Sequence, residues 1–225
     1  MDHPPGHAGA SLGGRGVVAR TPADSRVDEI TFLPANQVPC DDLMAVFGTG
    51  RSSAVCFCQR YKLMPGEAFS KSPREERAQR LREQTRCGDP SASETTGVVA
   101  YLDGEPVGWC AVEPRPAYFG LLRVYRTPWE GRNEDRTDAG VWSVTCVLVR
   151  AGYRKRGIAY ALARRAVDHA RSRGARALEA YPMRTETGEV IWDEIHVGAQ
   201  SIFAAAGMVE VSRPGKRRVV MRIDF

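Results

Sequence analysis

One stretch, residues 141–174, predicts a buried strand, a basic turn and an amphipathic helix in direct succession. Val141–Val149 combines β-branched, aromatic and small apolar residues without a helical period, which is typical of an interior strand. From Ile158 onward, apolar residues recur at helical spacing on one face, and arginines occupy the other face. Gly174 stands where a left-handed helix cap is expected. Any fold of this chain must therefore bring a helix back onto the strand that precedes it.

The turn between these two elements has the properties of an anion-binding site. Its cationic side chains are Arg150, Arg154, Lys155 and Arg156. A strand that leads into a helix through such a turn directs free backbone N–H groups and the positive end of the helix dipole at one place, where phosphates bind. Gly157 lets the backbone approach closely, and Ala159 keeps the first helical turn free of bulk. The alternative is an ordinary connection with a solvated basic face, although helix N-termini favour acidic neighbours unless an anion is present.

Neither of the two familiar nucleotide-binding loops is present in the sequence. The turn instead resembles the coenzyme A motif of the GNAT superfamily of N-acetyltransferases, Gln/Arg-x-x-Gly-x-Gly/Ala. That motif stands here as residues 154–159, RKRGIA, with Tyr153 as its aromatic lead-in. The resemblance implies that acetyl-CoA is the co-substrate, with its pyrophosphate on these backbone N–H groups and its pantetheine arm along the preceding strand edge. The binding residues that it implies are Val147, Leu148, Val149, Arg154, Lys155, Arg156, Gly157, Ile158 and Ala159.

The composition indicates one globular domain that follows a tail. The chain has 225 residues, of which 43% are hydrophobic and 26% are charged, as is usual for a globular protein. Residues 1–25 are rich in Gly, Pro, Ala and Ser without a period, which predicts a disordered tail before a GNAT-type domain over residues 26–225. No apolar run reaches the ~18–20 residues of a membrane span, and the N-terminus lacks a secretion signal. We therefore expect a cytoplasmic protein without a membrane partner.

The net charge of +5 permits nucleic acid binding without requiring it, because an anionic co-substrate already explains the basic turn. Nucleic acid is therefore not expected as a partner. The six cysteines are Cys40, Cys56, Cys58, Cys87, Cys110 and Cys146. They form no Cys-x-x-Cys pair, so no metal is expected, and without an export signal reduced thiols are expected. Those at 56, 58, 110 and 146 lie in apolar sequence, which indicates either buried small residues or a thiol cluster near the acceptor site.

The rest of the chain predicts strands and helices on both sides of the central unit. A hairpin is predicted around Asp103-Gly104, and Ser72 is predicted to cap an exposed helix over residues 73–87. Residues 51–63 could form a strand or an irregular segment, and residues 118–140 form a long connection. The further predictions are strands at 27–33, 175–181, 208–212 and 218–223 and helices at 41–47 and 197–206.

This order of elements predicts an α/β (α+β) fold with a mixed, mostly antiparallel sheet flanked by helices. It is also the order of the GNAT fold, so the resemblance covers residues 27–225. The resemblance further implies a V-shaped opening between the fourth and fifth strands of the sheet.

Acetyl transfer to an amine requires a proton acceptor, because only about one in two thousand lysine-like amines is neutral at pH 7. The family's usual acid is a tyrosine four residues before the glycine of the last helix, with an asparagine seven residues earlier. Here those positions hold Phe203 and His196. Phe203 cannot donate a proton, whereas a histidine titrates near neutrality. The catalytic candidates are therefore His196, and two carboxylates placed by topology near the fourth strand, Glu113 and Glu179.

These observations favour an acetyl-CoA-dependent N-acetyltransferase that acts on a primary amine of a small molecule or a peptide. An acyl-CoA-binding sensor of the same fold, without transferase activity, is the alternative, since the usual tyrosine is missing. A nucleic-acid-binding protein is the weakest of the three hypotheses. The sequence leaves both the amine acceptor and the choice between a monomer and a homodimer open.

Overall fold

The computed structural model describes Met1 and residues 30–48, 53–123, 125–185 and 196–225. The rest of the predicted tail, residues 2–25, and the start of the predicted first strand, residues 27–29, lie outside the described residues. The division into a tail and a domain therefore stays a prediction.

The described residues form a seven-stranded mixed sheet in the order β1-β2-β3-β4-β5-β7-β6. The strands are β1 Ile30–Pro34, β2 Gly97–Leu102, β3 Glu105–Pro114, β4 Val141–Val149, β5 Ala177–Ala180, β6 Val209–Ser212 and β7 Val220–Asp224. Within this sheet β4 and β5 run parallel, and the other neighbouring strands run antiparallel. The predicted fold class, a mixed and mostly antiparallel sheet flanked by helices, is confirmed.

Helices cover both faces of the sheet and link its strands. They are α1 Cys40–Phe47, α2 Ser53–Cys56, α3 Arg74–Thr85, α4 Phe119–Arg123, α5 Ile158–Ser172 and α6 Gln200–Ala204. The strand and the helix of the central unit, β4 and α5, begin where the sequence predicts them. Gly174, with φ of 79°, takes the left-handed conformation predicted after the helix.

The opening between β4 and β5 results from the different lengths of these two strands. They pair only between Val141–Val144 and Ala177–Ala180, so among the described residues β4 continues from 145 to 149 without a partner on that side. On its other side β4 contains one extra residue, Thr145, because Ala111 pairs with Cys146 while Val112 pairs with Val144. The predicted V-shaped opening is therefore present, and its free edge belongs to β4.

The two faces of β4 belong to two separate hydrophobic cores. On one face, Val144 and Val147 pack with the buried side of α5. On the other face, Cys146 packs with Phe57 and Leu43, in the segments that precede the hairpin. The end of β4 is thus reached by side chains from both sides of the sheet.

The start of α3 differs from the prediction. Its N-cap is Pro73 and makes no side-chain hydrogen bond, so the predicted capping role of Ser72 is wrong. The backbone oxygen of Ser72 instead accepts a hydrogen bond from the guanidinium of Arg77, which is buried in α3. One face of this helix, including Leu81, is also buried, whereas the sequence predicts an exposed helix. Neither a buried arginine nor a short apolar stripe can be recognised from the periodicity of the sequence.

The structure decides one alternative that the sequence leaves open and corrects one expectation. In place of a strand, the described residues 53–63 form an irregular segment with the short helix α2 and a 3-10 turn over Gln59–Tyr61. Cys40, at the start of α1, forms a disulfide with Cys87, just after α3, where the sequence predicts reduced thiols. This bond joins two helices that both support the cavity described below.

Candidate active site

A cavity of about 730 Å³ lies at the free edge of β4. Its walls come from β4 residues 145–149, the turn and first residues of α5, residues 47 and 55–69, and residues 196–202. Because α5 and residues 55–61 pack on opposite faces of the sheet, the cavity reaches from one face to the other around the end of β4. A long ligand could therefore contact both faces at once.

The α5 end of the cavity can hold an anion. Gly157, with φ of 79°, occupies the N-cap position without a side chain to bond the helix N–H groups, and the first turn of α5 has no acidic residue. The first N–H groups of a helix have no acceptor within the helix, so these are available to a ligand. Arg154 and Lys155 are exposed and line this part of the cavity. Free N–H groups and positive charge thus meet at one place.

The structure brings most of the predicted binding residues together. Those that line the cavity are Val147, Leu148, Val149, Arg154, Lys155, Gly157, Ile158 and Ala159. Arg156, the remaining predicted residue, is not among the lining residues, and its guanidinium lies 5.5 Å from the centre of the Tyr153 ring. Arg150, in the same turn, pairs with Glu105 at 3.3 Å.

The opposite wall is formed by a segment for which the sequence leaves a strand and an irregular conformation open. Cys58, Tyr61 and Phe69 line the cavity there together with Arg60. The buried side chain of Arg77 supports this wall, because it donates hydrogen bonds to the backbone oxygens of Val55 (2.6 Å) and Phe69 (3.0 Å). The wall is therefore fixed by α3, which packs behind it.

A histidine and a tyrosine lie near each other in the cavity lining. The ring centres of His196 and Tyr61 are 6.5 Å apart, and both residues line the cavity. Burial raises the pKa of Tyr61 well above its ordinary value, although the positive charge of Arg218 acts in the opposite direction. The Tyr61 hydroxyl therefore keeps its proton at neutral pH. Phe203 is fully buried and places no hydroxyl at the position that the family fills with tyrosine.

Comparison with known proteins decides the family. Residues 59–188, more than half of the chain, match the family model described as the acetyltransferase (GNAT) family. The chain belongs to the GNAT family. No curated protein matched this GNAT sequence significantly.

Solved structures similar to this GNAT chain share little sequence with it. An N-acetyltransferase from Staphylococcus aureus Mu50 is 14% identical, covering 87% of this chain and 98% of its own, with a TM-score of 0.47. A GNAT-family acetyltransferase from Streptococcus pneumoniae is 14% identical, covering 88% and 100%, with a TM-score of 0.46. The PaiA N-acetyltransferase from Thermoplasma acidophilum, solved in complex with coenzyme A, is 11% identical, covering 87% and 99%, with a TM-score of 0.47.

The carboxylate of Glu113 lies outside the lining of the cavity in this GNAT protein. It is buried and pairs with Lys62, whose Nζ is 2.5 Å from its Oε1. Burial raises the pKa of Glu113, while the charge of Lys62 acts in the opposite direction. On the neighbouring strand β4, by contrast, Thr145 does line the cavity.

The second candidate carboxylate, Glu179, is enclosed by cations and is also outside the cavity lining. Its oxygens accept hydrogen bonds from the guanidinium groups of Arg115 (3.3 Å), Arg222 (2.9 Å) and Arg132. The Tyr181 hydroxyl donates another at 3.1 Å. Burial by itself raises the pKa of Glu179, but the three arginines outweigh it and hold that pKa below its usual range. This GNAT protein therefore carries a buried anion that is fully engaged with its own chain.

The free thiols of this GNAT protein are divided between the two faces of the sheet. Cys56, Cys58 and Cys146 line the cavity, whereas Cys110 packs on the α5 side. The Cys58 sulfur accepts a hydrogen bond from Nε1 of Trp109 at 3.2 Å. A hydrogen bond to Cys58, together with burial, raises the pKa of Cys146. A functional thiol cluster stays a prediction.

The described part of the GNAT chain offers neither a metal site nor a membrane span. In that part, no group of three or more His, Cys, Asp or Glu side chains could hold a metal ion. Its helices also include none that has both the length and the apolar composition to span a membrane.

Proposed function

We propose that this GNAT protein is an acetyl-CoA-dependent N-acetyltransferase that acts on a primary amine of a small molecule or a peptide. One observation carries the proposal: a single cavity runs from the uncapped N-terminus of α5, past the free edge of β4, to a second wall with ionisable side chains. A phosphate-bearing co-substrate and a separate acceptor both require such a passage.

The residues at the α5 end fit coenzyme A. Backbone N–H groups from Gly157 onward and the side chains of Arg154 and Lys155 would hold the diphosphate. The unpaired edge of β4 from Val147 to Val149 would accept the extended pantetheine arm as an added strand does, because its backbone groups lack a partner on that side. Acetyl-CoA supplies an acetyl group that is already activated as a thioester.

We assign the role of proton acceptor to His196, and to Tyr61 the role of a hydrogen-bond donor to the departing thiolate. His196 lines the cavity and an imidazole can take a proton near neutral pH. Because burial raises its pKa, Tyr61 keeps its proton, so its hydroxyl can stabilise the departing thiolate by a hydrogen bond without giving up the proton. Glu113 and Glu179 receive no proton-transfer role in this proposal, since each is paired with a cation outside the lining.

Replacing His196 should lower turnover without changing the affinity for coenzyme A. We expect kcat to fall by about 100-fold in His196→Gln, because general base catalysis contributes at least that factor. His196→Asn restores the residue type of the family but cannot take a proton, so it should be equally slow. Steady-state kinetics and calorimetry with coenzyme A would test this. Full activity of His196→Asn would contradict the role of a base and show that His196 acts through hydrogen bonds.

The proposed function is tested by thiol release from acetyl-CoA in the presence of a panel of primary amines, with mass spectrometry of the products. We expect amine-dependent release and an acetylated amine. Saturable binding of coenzyme A without release under any amine would favour the sensor, and no binding at all would overturn both.

A further inference from the structure

Among the described residues, the wall opposite α5 carries a cation that forms no ion pair with a carboxylate. The guanidinium of Arg60 is exposed at the cavity and lies 4.8 Å from the centre of the Phe69 ring. Among the described residues, no carboxylate forms an ion pair with Arg60, and none lines the cavity. Two of the acidic residues that follow it in sequence, Glu67 and Glu76, pair with Arg80 instead.

The Arg60 side chain is oriented by contact with an aromatic ring. Phe69 stacks on it, and Phe69 is itself fixed by Arg77, whose guanidinium lies 4.4 Å from the same ring and donates to the Phe69 backbone oxygen. An arginine that is oriented in advance loses less entropy when it binds a partner. Its planar N–H groups match the two oxygens of a carboxylate.

Apart from the Tyr125 hydroxyl, which interacts with Arg60, the remaining described surface of this wall is mainly apolar. Phe47, Val55 and Phe69 line this part of the cavity, together with the ring of Tyr61. Such a surface favours an aliphatic or aromatic body, whereas a polyamine or an aminoglycoside would place several positive charges beside Arg60. In the part of the chain that the structure describes, this wall is thus mainly apolar, with the positive charge of Arg60 beside the apolar side chains.

We propose that the acceptor is an amine that carries both an apolar body and a carboxylate, and that Arg60 binds this carboxylate. This inference rests on the proposed acetyltransferase function and narrows its substrate class to amino carboxylates. The Coulomb attraction would draw the carboxylate to Arg60 and leave the amine free to reach His196, whose ring centre lies 6.5 Å from that of Tyr61, the residue next to Arg60.

The test compares amines that differ only in the carboxylate. The pairs are L-phenylalanine with phenethylamine and 4-(aminomethyl)benzoate with benzylamine, which place the carboxylate at two distances from the amine. In thiol-release assays, the amino carboxylate of at least one pair should have a kcat/KM about 10- to 100-fold higher than its partner. In Arg60→Gln this ratio should fall to about 1.

Arg123→Gln is the matched control. Arg123 is also exposed and lies 4.8 Å from the centre of a phenylalanine ring, that of Phe119, but it does not line the cavity. This variant should keep the preference for the carboxylate. A preference that persists in Arg60→Gln, or that is missing from both pairs, would overturn the inference.

Binding of the reaction product separates this inference from the proposed function. Calorimetric titration with N-acetylphenylalanine and with N-phenethylacetamide needs no turnover and is run with and without coenzyme A. If no amine is acetylated but N-acetylphenylalanine binds at least 10-fold more tightly to the unaltered protein than to Arg60→Gln, the transferase function fails and the carboxylate site stands. Equal affinities in the two proteins would overturn the site.

Discussion

Replacing Gly157 with glutamate is expected to weaken the binding of coenzyme A by about 1,000-fold. The new carboxylate would stand at the N-terminus of α5, where the diphosphate is proposed to bind. At a separation of a few ångströms and an effective dielectric constant of about 20, repulsion between such charges amounts to about 4 kcal/mol, and each 1.4 kcal/mol is a factor of ten. The side chain would also cover N–H groups that the glycine leaves open. Isothermal titration calorimetry measures this loss directly.

The same substitution should leave α5 folded. An acidic residue at a helix N-terminus interacts favourably with the helix dipole, which partly offsets the cost of about 1–2 kcal/mol for a side chain at positive φ. Gly174→Glu is the matched control, because Gly174 also has φ of 79°, follows the other end of the same helix, and has open space where a Cβ atom would stand. It should bind coenzyme A normally. Equal loss in both variants would contradict a diphosphate site at Gly157.

The co-substrate end of the cavity could be predicted from the sequence because its determinants are local. The strand, the turn and the helix between Val141 and Gly174 are contiguous, and each has its own periodicity or cap. The hairpin at Asp103-Gly104 is local in the same sense, and both of its turn residues adopt the positive φ that the dipeptide favours. The order of the predicted elements was then sufficient to predict a mixed, mostly antiparallel sheet.

The acceptor wall could not be predicted because its determinants are distant in sequence. Arg60 and Tyr61 lie in a segment without clear periodicity, and Arg77, which fixes that wall, belongs to a helix that is charged over most of its length. The burial of an arginine in such a helix can be recognised only in the folded structure, where its backbone acceptors, such as the oxygen of Val55, are known. The apolar side of the opening therefore emerges only from tertiary packing.

The charge partners of Glu179 could not be predicted for the same reason, because they are distant in sequence. From the sequence it is a carboxylate on a strand beside the opening, and so a candidate for catalysis. The structure surrounds it with Arg115, Arg132 and Arg222, which are 64, 47 and 43 residues away in the chain. This cluster connects the loop after β3, which also contains Glu134, to β5 and β7. The partners of a buried charge follow from topology, which periodicity does not give.

Glu179→Gln should lower the free energy of unfolding by about 3–5 kcal/mol. The side chains of Glu179 and Arg115 are fully buried, and Arg132 is nearly so. Removing the negative charge leaves these guanidinium groups buried without full compensation, which is far more costly than losing an exposed ion pair. Urea denaturation at pH 7 would measure the difference. Glu134→Gln is the control, since Glu134 contacts the same arginines but its side chain is 29% exposed, and a cost of about 1 kcal/mol or less is expected.

The pH dependence of this difference gives a second test with a defined sign. The arginines hold the pKa of Glu179 below its usual value, so the folded protein binds this proton more weakly than the unfolded chain. The stability that the carboxylate contributes is therefore fully present above the ordinary glutamate pKa of about 4.3, and it is lost as the pH falls through the lower value of the folded state. The gap in unfolding free energy between the unaltered protein and Glu179→Gln should accordingly narrow below about pH 4. A gap that stays constant from pH 7 into this acid range would mean that packing, rather than charge, explains the role of Glu179.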